Sequence, residues 1–151
     1  MLVRPLEERD IPAALRAILD GSLAPEVEYR DDYARYAAAA RTARAQGHEL
    51  LVVELDGEVV GFCQLLMLRH FHHGGGTCAE LEAVHVRAES RGRGAGAALV
   101  AEAERRAREA GCYRMQLTSN KVRLDAHRFY LAHGYTASHE GFKKDLQLDL
   151  T

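Results

Sequence analysis

The chain has 151 residues, 47% of them hydrophobic and 28% charged, with a formal net charge of -2. That is enough for a single domain over residues 1–151 with its own core, and it gives no electrostatic case for nucleic acid. The sequence has no apolar run of membrane-spanning length, no apolar signal segment in its first ten residues, and three cysteines (Cys63, Cys78, Cys112) without framework spacing, so a cytoplasmic protein with no membrane partner is expected.

Residues 2–6 alternate weakly and predict a short strand. Asp10 followed by Pro12 marks a helix start, and Ile11, Leu15, Ile18 and Leu19 fall on one face of that helix. Gly21 and Pro25 break it. A second helix is expected over about 31–46, with Tyr33, Tyr36, Ala37 and Ala40 as its apolar stripe. Residues 50–55 and 59–68 read as two strands joined by the hairpin signal Asp56-Gly57. A loop rich in histidine and glycine covers 70–76. Residues 78–87 form another strand, on which Leu81, Ala83 and His85 are expected on one face and Glu82, Val84 and Val86 on the other. A helix over 95–110, a strand over 113–118, a helix over 124–133 and one or two closing strands over 135–148 complete the chain. The order predicts an α+β fold whose sheet is covered by helices.

The sharpest local signal is Arg91-Gly92-Arg93-Gly94-Ala95-Gly96, where a strand hands over to a helix. A helix N-terminus leaves backbone N–H groups unpaired at the positive end of its dipole. Glycines let a diphosphate approach those groups, and Arg91 and Arg93 add charge beside them. Two ligands fit. Gly92, Gly94 and Ala97 satisfy a dinucleotide fingerprint, but the next strand ends Thr118-Ser119-Asn120, without the acidic residue that fingerprint expects. The other ligand is coenzyme A, which a family resemblance implies.

Arg91-x-x-Gly94-x-Gly96, preceded by Val84-His85-Val86, resembles the acetyl-CoA signature of the GCN5-related N-acetyltransferases. The resemblance covers nearly the whole chain. It implies a central mixed, largely antiparallel sheet of six to seven strands, with about four helices on its faces. It also implies that Arg91, Gly92, Arg93, Gly94, Ala95, Gly96 and Ala97 hold the pyrophosphate, while Val84, His85 and Val86 hold the pantetheine arm through their backbone. Asn120 and Tyr130 match the family's second motif: Asn120 as a cofactor contact, Tyr130 as the acid that protonates the departing thiolate. Glu82 is the candidate base for the incoming amine, with Glu80 as the alternative, and a backbone N–H near Val86 is the candidate oxyanion donor.

Thr118-Ser119-Asn120-Lys121, Asp125-Ala126-His127-Arg128-Phe129-Tyr130 and the histidines at 70, 72 and 73 resemble more narrowly the aminoalkylphosphonate N-acetyltransferases, which are reported as metal-assisted. That implies a small anionic amine as acceptor. His70, His72 and His73, with Glu80 or Cys78, are candidate ligands for a divalent metal. They make no complete ligand set of known spacing, so no metal site is predicted. Tyr29, Arg30 and Tyr33 are candidates for the acceptor pocket. A homodimer is a family-level expectation. Two other uses of the same cleft stay open: acetylation of a protein N-terminus or lysine, and a CoA-binding sensor without turnover.

Overall fold

Strand pairing follows from where the apolar alternation lies. In the computed structural model, which describes residues 1–147, five strands form one sheet in the order β1-β2-β3-β4-β5. They are β1 (Leu2–Pro5), β2 (Glu49–Leu55), β3 (Glu58–Arg69), β4 (Thr77–Val86) and β5 (Arg114–Leu117). Neighbours pair antiparallel except β4 and β5, which run parallel. The β2–β3 turn uses the expected Asp56-Gly57, with φ of 53° and 81° at the two residues. Positive φ at both central positions matches the right-handed twist of the flanking strands.

Opposed residues of an antiparallel pair share a face. Val52 opposes Phe62, and both are buried with Ile11 and Ala14 of α1 (Ile11–Gly21) and Ala37 and Ala40 of α2 (Tyr33–Ala45). Val53 opposes Gly61 on the other face, where a Cβ built on Gly61 would lie 2.8 Å from Val53 and 3.3 Å from Leu99 of α3 (Ala95–Glu109). The absent side chain at Gly61 is what lets α3 sit down on the sheet. Leu99, Val100, Ala103 and Ala107 form the buried stripe of α3.

Two helix starts differ from expectation. Asp10 does not cap α1 with its side chain. Its carboxylate takes Arg4 Nη1 at 2.7 Å, Arg4 Nη2 at 3.0 Å and the Glu7 N–H at 2.7 Å. Burial disfavours the carboxylate, but the Arg4 and Glu7 hydrogen bonds outweigh it and hold the Asp10 carboxyl below its ordinary range. Asp32 does cap α2, accepting from Arg35 N at 3.2 Å. The buried stripe of α2 is Ala37, Ala40 and Ala43, while Tyr33 is exposed at its first turn, so the apolar face begins a turn later than the sequence suggests.

The sheet has five strands among the described residues, not six to seven. Residues 135–147 contain no strand, and 148, the end of the expected closing strands, lies outside the described residues. Local turns occupy that segment: Ser138 N–H bonds Thr136 O at 2.9 Å, and Gln147 N–H bonds Asp145 Oδ1 at 2.9 Å. Such short-range bonds compete with a ladder. The chain divides into two compact units, Met1–Leu117 and Thr118–Thr151. The first holds the sheet with α1 to α3. The second holds α4 (Leu124–Ala132), none of whose residues is buried. No helix among the described residues is long and apolar enough to cross a membrane.

Candidate active site

In the first unit the site grows from β4. Its parallel ladder with β5 ends at Leu81–Leu117, while β4 runs on to Val86 paired with β3. A strand that outruns its neighbour can offer main-chain groups to an extended ligand lying beside it. The chain then turns through Ala88–Ser90, with Arg87 N–H bonded to Val60 O at 2.8 Å. Gly92 and Gly94 follow in left-handed backbone, at φ of 76° and 87°. Nothing stands within 4 Å of where a Gly92 Cβ would be. Gly94 is the N-cap of α3 and supplies no side-chain cap, and the first turn has no acidic residue. The leading N–H groups of a 15-residue helix therefore face an open approach at their positive dipole end.

The two arginines of this turn do different work. Arg91 reaches back: its Nε donates to Val86 O at 3.3 Å and its Nη2 to Asp20 O, the end of α1, at 3.1 Å. Asp20 also accepts the Ala88 N–H at 2.9 Å. Arg91 thus braces the turn against α1 while its charge stays beside it. Arg93 is exposed and pairs with Asp56 at 3.2 Å.

The strand carries a break that its sequence does not announce. Gln64 opposes Glu82 and Phe62 opposes His85, so β4 has one residue more than β3 over this stretch. The extra residue is absorbed at Ala83, whose φ is 53°. This corrects the expected faces. Glu82 and His85 share the face of Phe62 and Gln64, toward α1 and α2. Leu81 and Val86 share the face of Leu65 and Gly61, toward α3. Glu82 and Val84 do not follow simple alternation. His85 comes so close to α1 that a Cβ on Gly21 would sit 2.2 Å from its Nδ1. Glu80 lies on the Glu82 face and accepts from Gln116 Nε2 of β5 at 3.1 Å.

In the second unit, Asn120 falls three residues past the end of β5 rather than ending the strand. Its side-chain oxygen accepts the Val122 N–H at 3.1 Å, and its carbonyl accepts from Arg123 N at 3.0 Å. This is a side-chain-closed turn that launches α4. Tyr130 is half-buried on α4 and packs edge-on against Phe129 and Tyr135, with centroids 5.2 and 5.7 Å apart.

The histidine loop makes a stack. His70 and His72 lie 4.5 Å apart, His72 and His73 4.8 Å, and His73 stacks on Tyr113 at 4.7 Å. His70 Nδ1 also bonds the Tyr113 hydroxyl. Partial desolvation, then the neighbouring His72, Arg114 and His73, push the His70 imidazole below its ordinary pKa. Cys78, offered by the sequence as a ligand, is buried with its thiol directed at Ala79 O. Among the described residues no group of three or more His, Cys, Asp or Glu side chains is placed to hold a metal ion. Burial pushes the Cys63 thiol up to about 12 and raises the Cys112 thiol as well, away from the thiolate a nucleophile needs.

Residues 14–135 match the model of the acetyltransferase (GNAT) family. The chain belongs to that family. As a GNAT protein it is 44% identical over 91 residues to an aminoalkylphosphonate N-acetyltransferase of Salmonella typhimurium. That match covers 60% of this chain and 58% of the relative, so the chain spans less than two thirds of that curated relative's length. A solved transcriptional regulator of Bacillus halodurans is 32% identical with a TM-score of 0.87, covering 96% of this chain and 99% of that one. A Trypanosoma brucei acetyltransferase structure is 28% identical with a TM-score of 0.77, covering the same shares of each chain.

Sequence reasoning did not find three parts of this GNAT site. The bulge at Ala83 leaves no local signature, since alanine does not advertise a left-handed conformation. The polar pair Gln64 and Gln116 joins the Glu80–Glu82 face only through strand register. The brace from Asp20 spans 68 residues to Ala88.

Proposed function

We propose that the chain is an acetyl-CoA-dependent N-acetyltransferase that transfers the acetyl group directly to the primary amine of a small molecule. The observation that carries this is the open α3 N-terminus behind left-handed Gly92 and Gly94, following a strand that outruns its ladder, in a chain of the GNAT family. In this reading Arg91, Gly92, Arg93, Gly94, Ala95, Gly96 and Ala97 hold the diphosphate, and Val84, His85 and Val86 hold the pantetheine arm by main-chain bonds. Asn120 and Tyr130 complete the cofactor contacts.

Glu82 takes a proton from the incoming ammonium, directly or through water, because an ammonium has no lone pair to attack with. The amine nitrogen then bonds the thioester carbonyl carbon while a backbone N–H near Val86 stabilises the oxyanion. The C–S bond breaks as Tyr130 gives its phenolic proton to the thiolate, and the proton left on the acylated nitrogen passes, directly or through water, to the Tyr130 phenolate. Glu80, which accepts from Gln116 Nε2, is the alternative base. No covalent enzyme intermediate is required, and positioning is the protein's main contribution. The reading takes residues 1–151 as one catalytic domain of the cytoplasm, with a homodimer as the family-level assembly. The Salmonella relative adds an aminophosphonate to the candidate acceptors.

The test is release of free thiol from acetyl-CoA in the presence of a panel of amines. Tyr130→Phe is expected to lower kcat about 10- to 100-fold with little change in acetyl-CoA affinity. Wild-type turnover in that variant would remove the acid role. A second reading is favoured by the likeness to the transcriptional regulator of Bacillus halodurans: a module that binds acetyl-CoA without turning it over. Binding by calorimetry with no thiol release from any amine would select it.

A further inference from the structure

We infer that the acceptor is a primary amine on an uncharged apolar body rather than an anionic aminophosphonate. This rests on the acetyltransferase reading above and narrows its substrate.

A cavity of about 240 Å³ lies between α1, α2 and the sheet face that carries Gln64 and Ala83. Leu15, Ile18, Leu50 and Phe62 supply its apolar wall. Its polar side chains are Glu28, Tyr36 and Gln64, and no lysine or arginine lines it among the described residues. Glu28 is fixed in place: the Tyr36 hydroxyl donates to it at 2.5 Å while accepting the Tyr29 N–H at 2.9 Å. The candidate base Glu82 stands between Ala83 and the register partner Gln64, on the same face. The cavity is therefore apolar in its walls, with Glu28 as the one carboxylate among its described lining residues.

The segment that carries Glu28 repeats the theme at the surface. Leu23, Val27 and Tyr29 are 57%, 64% and 52% exposed in the stretch between α1 and α2. Exposed apolar groups gathered at the edge of an apolar cavity suit a ligand with an apolar body. Two arginines close to the lining residues are engaged: Arg35 lies over the Tyr29 ring at 3.9 Å and pairs with Asp32 at 3.3 Å, and Arg44 donates to the Leu6 carbonyl. Arg30 and Tyr33, both offered by the sequence as pocket residues, are exposed and do not line the cavity.

Charge complementarity decides between the two acceptor classes. An aminophosphonate brings two negative charges, which would have to desolvate beside Glu28 with no lysine or arginine among the described lining residues. An alkyl or aryl amine brings one positive charge, which the Glu28 carboxylate attracts, and an apolar body that gains by leaving water.

The experiment measures kcat/KM by thiol release from acetyl-CoA with four probes at equal ionic strength: hexylamine, 2-phenylethylamine, 2-aminoethylphosphonate and aminomethylphosphonate. The apolar pair is expected to exceed the phosphonates at least about tenfold, and, with butylamine added as a chain-length control, the step from butylamine to hexylamine is expected to gain about fourfold per methylene. A preference for the phosphonates, or no gain with chain length, overturns the inference and leaves the acetyltransferase reading standing. No thiol release with any amine, together with no acetyl-CoA binding by calorimetry, overturns both. Ala39→Phe places a ring over the cavity from an exposed position of α2. It is expected to raise KM for hexylamine about tenfold with acetyl-CoA affinity unchanged, and Glu28→Gln to raise it about fivefold. An unchanged KM in both variants overturns the assignment of this cavity.

Discussion

The two sides of β4 solve recognition in opposite ways. On the side of the Gly92–Gly94 turn the candidate cofactor contacts are main chain: left-handed glycines, the leading amides of α3 and the edge of the strand. On the side of α1 and α2 they are side chains gathered from distant places: Glu28, Tyr36, Phe62, Gln64 and Glu82. A backbone site tolerates few changes in conformation but is indifferent to most side chains. A side-chain site can change its ligand by point substitution while the strand beneath it stays put. One domain can thus keep its donor fixed and vary its acceptor.

Substitutions on each side sharpen this contrast. The largest effect is expected from Gly94→Glu. It forces a residue with a Cβ into φ of 87° and places a carboxylate at the helix end meant for phosphate. Calorimetry should show acetyl-CoA affinity falling by about 100-fold or more. Wild-type affinity would end the claim that this turn holds a diphosphate. Next comes Glu82→Gln on the acceptor side. It should lower kcat/KM for amines about 10- to 100-fold while acetyl-CoA binding stays intact, with activity recovering as the pH is raised and free amine becomes abundant. A flat pH difference between variant and wild type would assign the proton to water or to Glu80. The smallest effect is expected from Arg93→Ala. Its pair with Asp56 is exposed on both sides, so the melting temperature should move by no more than a degree or two. The KM for acetyl-CoA should rise only about threefold, since one solvated charge is lost and no amide moves.

The same contrast explains what the sequence made legible. The hairpin at Asp56-Gly57, the glycine-rich turn and the amphipathic α3 are local patterns, each enforced by residues within a few positions of one another. The family signature is one of these, which is why the donor half could be read directly. The acceptor half depends on register. Whether Glu82 looks toward α1 or α3 depends on one bulge, and whether Gln116 meets Glu80 depends on how far β5 is slid along β4. The Arg4–Asp10 pair shows the same limit in the frame. The sequence marks Asp10 as a cap, but a guanidinium supplied by β1 captures its carboxylate. The closing strands were expected from alternation over 135–148. Their failure among residues 135–147 reflects turn-forming Ser138 and Asp145, whose local bonds leave no continuous run for a ladder.

The bulge at Ala83 also constrains anyone who wishes to re-engineer this protein. Because it adds a residue to one strand only, odd and even positions trade places after residue 83: 82 and 85 view the α1 face, and 81 and 86 view α3. A library that randomises the strand on a simple every-other-residue plan would therefore mutate the hydrophobic core while believing it was diversifying the pocket. Deleting Ala83 would restore strict alternation, placing Val84 opposite Cys63 and leaving Glu82 and His85 on the face they already share. Only glycine should replace Ala83 without penalty, since it alone takes φ of 53° freely.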